Sequence, residues 1–191
     1  MSHKFNPEHK AKLQSEWRKQ NLPPIPTLEK LGLVSQDTVA DLGCGIGYFT
    51  IPAAEIVNTT NKVFALDTSE EMLTELEKDA SIAGLSNVIT IKTEEYDLKL
   101  PNESVSFVLL VNVLHEIEEK ERFLLEAHRI LKPAGRIAVV DWEKKKTEMG
   151  PPIEHRISLE KSIELLTSTG FQVSQEYHLA DVFFGIVAAK K

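Results

Sequence analysis

Asp41-Leu42-Gly43-Cys44-Gly45-Ile46-Gly47-Tyr48-Phe49 stands between a β-rich run, residues 38–42, and a helix-forming segment that carries Ala53, Ala54, Ile56 and Val57. Glycines at 43, 45 and 47 let the chain turn tightly at the strand end and bring its backbone against a ligand that a Cβ would hold off. A glycine loop alone is weak evidence, and its partner is what strengthens it. Asp67 follows the next strand, residues 63–66, and lies 20 residues beyond Gly47. At that place in a βαβ unit a carboxylate accepts hydrogen bonds from both ribose hydroxyls. The two features point to an adenosine-containing ligand. The loop spacing is G-x-G-x-G rather than the dinucleotide G-x-G-x-x-G, and Asp41 precedes the first glycine by two positions. A carboxylate at the loop mouth repels a pyrophosphate and favours an ammonium or sulfonium group, so the ligand reads as a cationic adenosine conjugate.

Outward from the loop, strands and helices alternate. Thr68-Ser69-Glu70-Glu71 matches a capping box, and the helix that follows presents Met72, Leu76 and Ala83 before Gly84 ends it. Residues 87–91 read as a strand, and residues 105–111 as a nearly continuous apolar strand buried on both faces. A helix begins near Glu118 with Ile117, Leu124, Ala127 and Leu131 on one face, Lys132-Pro133-Ala134-Gly135 stops it, and residues 136–140 form the fifth strand. After a helix over residues 158–168, the runs 171–178 and 182–189 are separated by Leu179-Ala180-Asp181. That gap is too short for a parallel crossover, so the two strands pair antiparallel. The fold expected is an α/β, doubly wound, Rossmann-like and mostly parallel seven-stranded sheet with a C-terminal antiparallel hairpin and helices on both faces. Residues 1–36 are expected to form a helical leader or cap, and residues 37–191 the domain built on the sheet.

In the leader, Phe5, Leu13 and Trp17 make a thin apolar stripe ahead of the proline cluster Pro23-Pro24-Ile25-Pro26, and residues 27–33 suggest a second short helix stopped by Gly32. The stripe suits either a surface helix packed on the domain or a mobile flap over an active site. The chain of 191 residues has 22 Lys and Arg against 29 Asp and Glu, a net charge of −7, and 42% hydrophobic residues, which fits one soluble domain. Residues 1–36 hold a balance of +3 and the remainder −10, which argues against nucleic acid as a partner. No apolar run approaches the roughly 20 residues of a membrane span, and residues 1–7 lack the apolar centre of a signal peptide. The solitary Cys44 makes no intrachain disulfide, and the six histidines show no ligand pairing such as H-x-x-x-H, so a cytoplasmic protein without a metal is expected.

On the residues 39–47, the acidic strand end at Asp67, the Leu131-Lys132-Pro133-Ala134-Gly135 turn and the closing hairpin, residues 37–191 resemble the class I S-adenosylmethionine-dependent methyltransferases. Within that family the chain is most similar to the small-molecule group that includes ubiquinone and menaquinone biosynthesis methyltransferases. The resemblance implies S-adenosylmethionine as cofactor and S-adenosylhomocysteine as product. It implies that Asp41, Gly43, Cys44, Gly45 and Gly47 surround the methionine part, that Asp67 holds the ribose with Thr68 and Met72 beside it, and that Asn112 lies near the sulfonium. Where the family often has Gly-Asp-Ala after the third strand, this chain has Thr93-Glu94-Glu95, so the adenine contact passes to Glu94, with Glu95 next to it. Val105-Ser106 likewise replaces a common Phe-Asp pair at the start of the fourth strand.

His115, after the fourth strand, is a candidate general base, because its ordinary pKa lies nearest neutrality; a packing role explains it equally well. Trp17, His115, Asp141, His155 and Arg156 are candidates for holding the acceptor, since parallel sheets bind ligands at the carboxyl ends of their strands. The expected activity is methyl transfer to a small molecule by in-line displacement. A noncatalytic module that binds an adenosine cofactor, and a nicotinamide-dependent oxidoreductase, are the alternatives.

Overall fold

The computed structural model describes residues 15–147 and 149–191. In chain order the elements are α1 (Glu16–Asn21), α2 (Pro24–Lys30), β1 (Val39–Leu42), α3 (Thr50–Ile56), β2 (Val63–Asp67), α4 (Glu70–Ile82), β3 (Val88–Lys92), β4 (Val105–Val111), α5 (Lys120–Ile130), β5 (Leu131–Trp142), α6 (Leu159–Ser168), β6 (Phe171–Leu179) and β7 (Phe183–Lys190). Short 3-10 turns cover Leu114–Glu116 and Ile153–His155. The seven strands form one sheet in the order β3-β2-β1-β4-β5-β7-β6. β1 pairs parallel with β2 and β4, and β7 pairs antiparallel with both β5 and β6. The chain reverses direction across the sheet between β1 and β4, the switch point where such sheets open a crevice.

The period-2 alternation of β4 explains why helices cover both faces. Val108 and Leu110 enter a core with Leu124, Ala127 and Ile130 of α5 and Leu165 and Leu166 of α6. Phe107, Leu109 and Val111 enter a second core with Leu28 of α2 and Ala53 and Ala54 of α3. A strand covered on both sides has no polar face, which is why residues 105–111 read as an apolar run. Leu22, Leu28 and Leu31 are fully buried in that second core. Pro24 and Pro26 sit in the first turn of α2, where the amides have no helical partner and proline costs little.

Several local expectations shift. The cap of α4 is Ser69, whose hydroxyl accepts from the Met72 amide at 3.4 Å, rather than Thr68. α5 spans Lys120–Ile130, so Leu131 is not on its face but opens β5 opposite Val105. Pro133 keeps Lys132 out of helical conformation, and the helix ends just ahead of it, with Leu131 already extended. Lys132–Gly135 is then a register break inside β5, with Ala134 at φ 59°. The second leader helix starts at Pro24 rather than residue 27 and ends at Lys30, before Gly32. The β6–β7 turn occupies residues 180–182, with Ala180 and Asp181 in the left-handed region. Phe5 and Leu13 lie outside the described residues.

Candidate active site

The carboxyl ends of β1, β2, β4 and β5 and α1 surround a cavity of about 830 Å³, within the range of small-molecule sites. Its floor is the glycine loop. The amides of Gly43 and Cys44 both donate to the Leu66 carbonyl, at 2.8 and 3.1 Å, tying the loop to the end of β2. Asp67 tightens this joint. Its Oδ2 accepts from the Gly45 amide and its Oδ1 from the Ser69 amide, each at 2.9 Å. A carboxylate oxygen accepts more than one hydrogen bond, so Asp67 is fixed in place and keeps acceptor capacity for hydroxyls. Gly47 differs from its neighbours: it does not line the cavity, and a Cβ there would lie 2.2 Å from Leu76 Cδ1. Its role is to let α4 approach the loop.

Asp41 is buried behind the loop and its Oδ2 accepts from Thr50 Oγ1 at 2.6 Å. Burial pushes its pKa up to about 7; the Thr50 bond lowers it, Asp67 raises it and Arg18 lowers it. Arg18 stands over the Tyr48 ring at 4.5 Å, and burial brings its pKa down to about 10 against the favourable charges of Tyr48 and Asp41. At the end of β4, Asn112 has φ 58°, and its Oδ1 is buried with no hydrogen-bond partner among the described residues. An acceptor held in that state inside a cavity calls for a donor from a ligand.

His115 lies on the 3-10 turn after β4 and lines the cavity. Its Nδ1 is 2.7 Å from Asp141 Oδ1, and its amide donates to Asp141 Oδ2 at 3.1 Å. Asp141 also accepts from the Trp142 amide at 2.8 Å and is fully buried, so it meets the cavity only through His115. Burial lowers the His115 pKa, but the Asp141 hydrogen bond and charge, with Glu116, outweigh it and leave the pKa above its ordinary value. Trp17 stacks on Trp142 at 5.7 Å with 12° between the planes, and both lean on Phe183, giving this end an aromatic wall.

The structure therefore gathers Trp17, Asp41, Gly43, Cys44, Gly45, Asp67, Thr68, Met72, Glu94, Glu95, Asn112 and His115 around one cavity. His155 and Arg156 do not line it. Arg156 engages all five guanidinium donors within its own connection: Nε to the Pro151 carbonyl, Nη1 to the Glu143 and Lys145 carbonyls, and Nη2 to Thr147 Oγ1 and the Met149 carbonyl. It organises the loop over the site and has no donor left for an acidic substrate. Sequence reasoning missed Arg18, Trp142 and Phe183. Trp142 carried a signal, being next to Asp141 at the end of a parallel strand; Phe183 lies on the antiparallel hairpin and had none.

Residues 40–139, just over half the chain, match the family model described as a methyltransferase domain. A crystal structure of an S-adenosylmethionine-dependent methyltransferase from Aquifex aeolicus is 31% identical, covers 98% of this chain and 100% of its own, and superposes with a TM-score of 0.94. The chain belongs to the S-adenosylmethionine-dependent methyltransferases. A demethylmenaquinone methyltransferase of Listeria monocytogenes is 32% identical over 131 residues, 68% of this chain and 52% of the relative. A ubiquinone/menaquinone biosynthesis C-methyltransferase of Escherichia fergusonii is 31% identical over 62% of this chain and 47% of its own. The methyltransferase thus spans about half the length of these curated relatives.

The residues present fit the family's cofactor, S-adenosylmethionine. Asp67 faces the cavity with acceptor capacity for ribose hydroxyls, Asp41 suits a cation, and the orphaned Asn112 oxygen suits a ligand donor. Among the described residues, no helix is long and apolar enough to cross a membrane.

Proposed function

We propose that the methyltransferase transfers a methyl group to a small molecule with an acidic hydroxyl, a hydroquinone-like ring in keeping with the quinone-methylating relatives. The observation that carries this reading is the placement of Asp67 and of His115, backed by the buried Asp141, on one cavity. S-adenosylmethionine supplies a methyl group on a positively charged sulfur, and the C–S bonding pair leaves with the sulfur in S-adenosylhomocysteine. The protein's task is mostly alignment, which contributes as much as ~7–11 kcal/mol in favourable cases. His115 adds a proton acceptor. With Nδ1–H donating to Asp141, the lone pair is on Nε2, which takes the acceptor's hydroxyl proton as the new bond to carbon forms. Trp17, Trp142 and Phe183 offer the ring an apolar wall.

In this reading residues 1–36 cap a catalytic domain of residues 37–191, the chain works in the cytoplasm, and its acceptor is not a nucleic acid. Incubation with methyl-labelled S-adenosylmethionine and demethylmenaquinol, or a cell metabolite extract, tests it. Label in an acceptor supports the proposal. Cofactor binding with no transfer to any acceptor would leave a noncatalytic binding module.

A further inference from the structure

His115 has a second carboxylate beside it. Glu116, the next residue on the same 3-10 turn, lines the cavity and brings its Oε1 to 3.7 Å from His115 Nε2, while Asp141 holds Nδ1 at 2.7 Å. We infer that Glu116 is a positioning residue for methyl transfer: it pairs with His115 once Nε2 has taken the acceptor's proton, and so favours the transferring state over the resting one. This rests on the reading that His115 is the base. Adjacency in sequence does not by itself produce the contact. A 3-10 turn has about three residues per turn, so neighbouring side chains leave it about 120° apart, and the Glu116 carboxylate meets the ring edge through its own rotamer. The Glu116 amide donates to the Val113 carbonyl at 2.8 Å, which fixes the turn.

The two carboxylates have different tasks. Asp141 is fully buried and bonded to Nδ1 whether or not the ring is charged. Glu116, with 23% of its side chain exposed against 5% for His115, lies within ion-pair range of Nε2 but beyond a hydrogen bond. With Nδ1–H given to Asp141, the neutral ring has a lone pair on Nε2, and a lone pair and a carboxylate oxygen have no proton to share. Protonation turns Nε2 into a charged donor, and an approach of about 1 Å then makes a charge-assisted hydrogen bond. An interaction that strengthens as the proton arrives lowers the barrier, whereas one equally strong before and after does not. The proton passes from the acceptor's hydroxyl to Nε2 and the O–H pair stays on the acceptor; Glu116 forms no covalent bond. Burial lowers the basicity of His115; Asp141 on β5 and Glu116 on the turn raise it, Lys120 at the start of α5 lowers it, and the balance is upward. The Lys120 ammonium is itself engaged by the Ile117 carbonyl.

Two substitutions and two readouts test the assignment. In the intact chain with isotope-labelled histidine, nuclear magnetic resonance gives the protonation midpoint of His115, its signals identified by their loss in His115→Gln. Glu116→Gln lowers that midpoint by about 0.5–1 pH unit, and Glu116→Asp, which keeps the charge on a shorter stem, lowers it less. With methyl-labelled S-adenosylmethionine and demethylmenaquinol, Glu116→Gln moves the inflection of kcat against pH down by the same amount and reduces the plateau rate on the order of 10-fold, a part of what a positioned base contributes. Glu116→Asp recovers part of both effects, and it carries the test should Glu116→Gln fail to fold. A midpoint that neither substitution moves, or a rate loss with the inflection unmoved, overturns the role of Glu116 alone. Wild-type protein that transfers no methyl to demethylmenaquinol or to a metabolite extract, or His115→Gln that transfers at the wild-type rate, overturns the base reading itself.

Discussion

At the scale of single residues, Asp41 couples the site to pH. Its carboxyl titrates near pH 7 in the folded chain, well above its ordinary range, because it is buried. Between the ordinary carboxylate range and about pH 7 the folded state therefore holds the extra proton, so the ligand-free fold loses stability as pH rises through that window. Melting curves from pH 5 to 8 should show this loss in wild type and a flatter profile in Asp41→Asn; identical slopes would contradict it. Asp67 and Arg18 also act on Asp41, in opposite directions. His115 makes a separate prediction: as a base it works neutral, so methyl transfer should rise with pH through its elevated pKa. Asp141→Asn should move that inflection to lower pH as well as reduce the rate, whereas a purely structural role would lower the rate without moving it. Gly47→Ala should cost about 1–3 kcal/mol in urea unfolding, since it places a Cβ against Leu76 at φ +87°.

Elements explain how the residues come to face one another. The glycine loop, the β2 end and the β4 end were legible because each rests on a local rule: a tight turn, a carboxylate spacing, an apolar run between turns. The partner of His115 was not legible as a partner. Asp141 is 26 positions away, and its carboxylate reaches His115 only because β4 and β5 are neighbours in the sheet. Arg156 was legible as a charge near the site but not as a brace, because its five contacts depend on how Glu143, Lys145, Thr147, Met149 and Pro151 come round it. Arg156→Gln should free that loop. Trypsin should then cut at the exposed Lys144–Lys146 run faster than in wild type, with the core melting temperature little changed; an unaltered cleavage rate would argue against the brace.

Over the whole molecule, the described part of the leader belongs to the same structure as the sheet. Leu22, Leu28 and Leu31 share a core with Phe107, Val140 and Phe183, so α2 cannot detach without exposing the face of the central strands. Leu28→Ala should lower global stability by about 2–5 kcal/mol in a single transition, seen alike by far-ultraviolet circular dichroism and by Trp17 and Trp142 fluorescence. A separate early transition in fluorescence alone would contradict that view. The Trp17–Trp142 stack and the Arg18–Tyr48 stack bring two consecutive α1 residues to the lining of one cavity, a link between leader and domain that composition cannot reveal. Calorimetric titration of the intact chain with S-adenosylhomocysteine and, separately, with NADH tests the central claim most directly. The account predicts one S-adenosylhomocysteine bound per chain, binding abolished or severely weakened by Asp67→Ala, and no binding of NADH; NADH binding in preference to S-adenosylhomocysteine, or no binding of the latter, would contradict it.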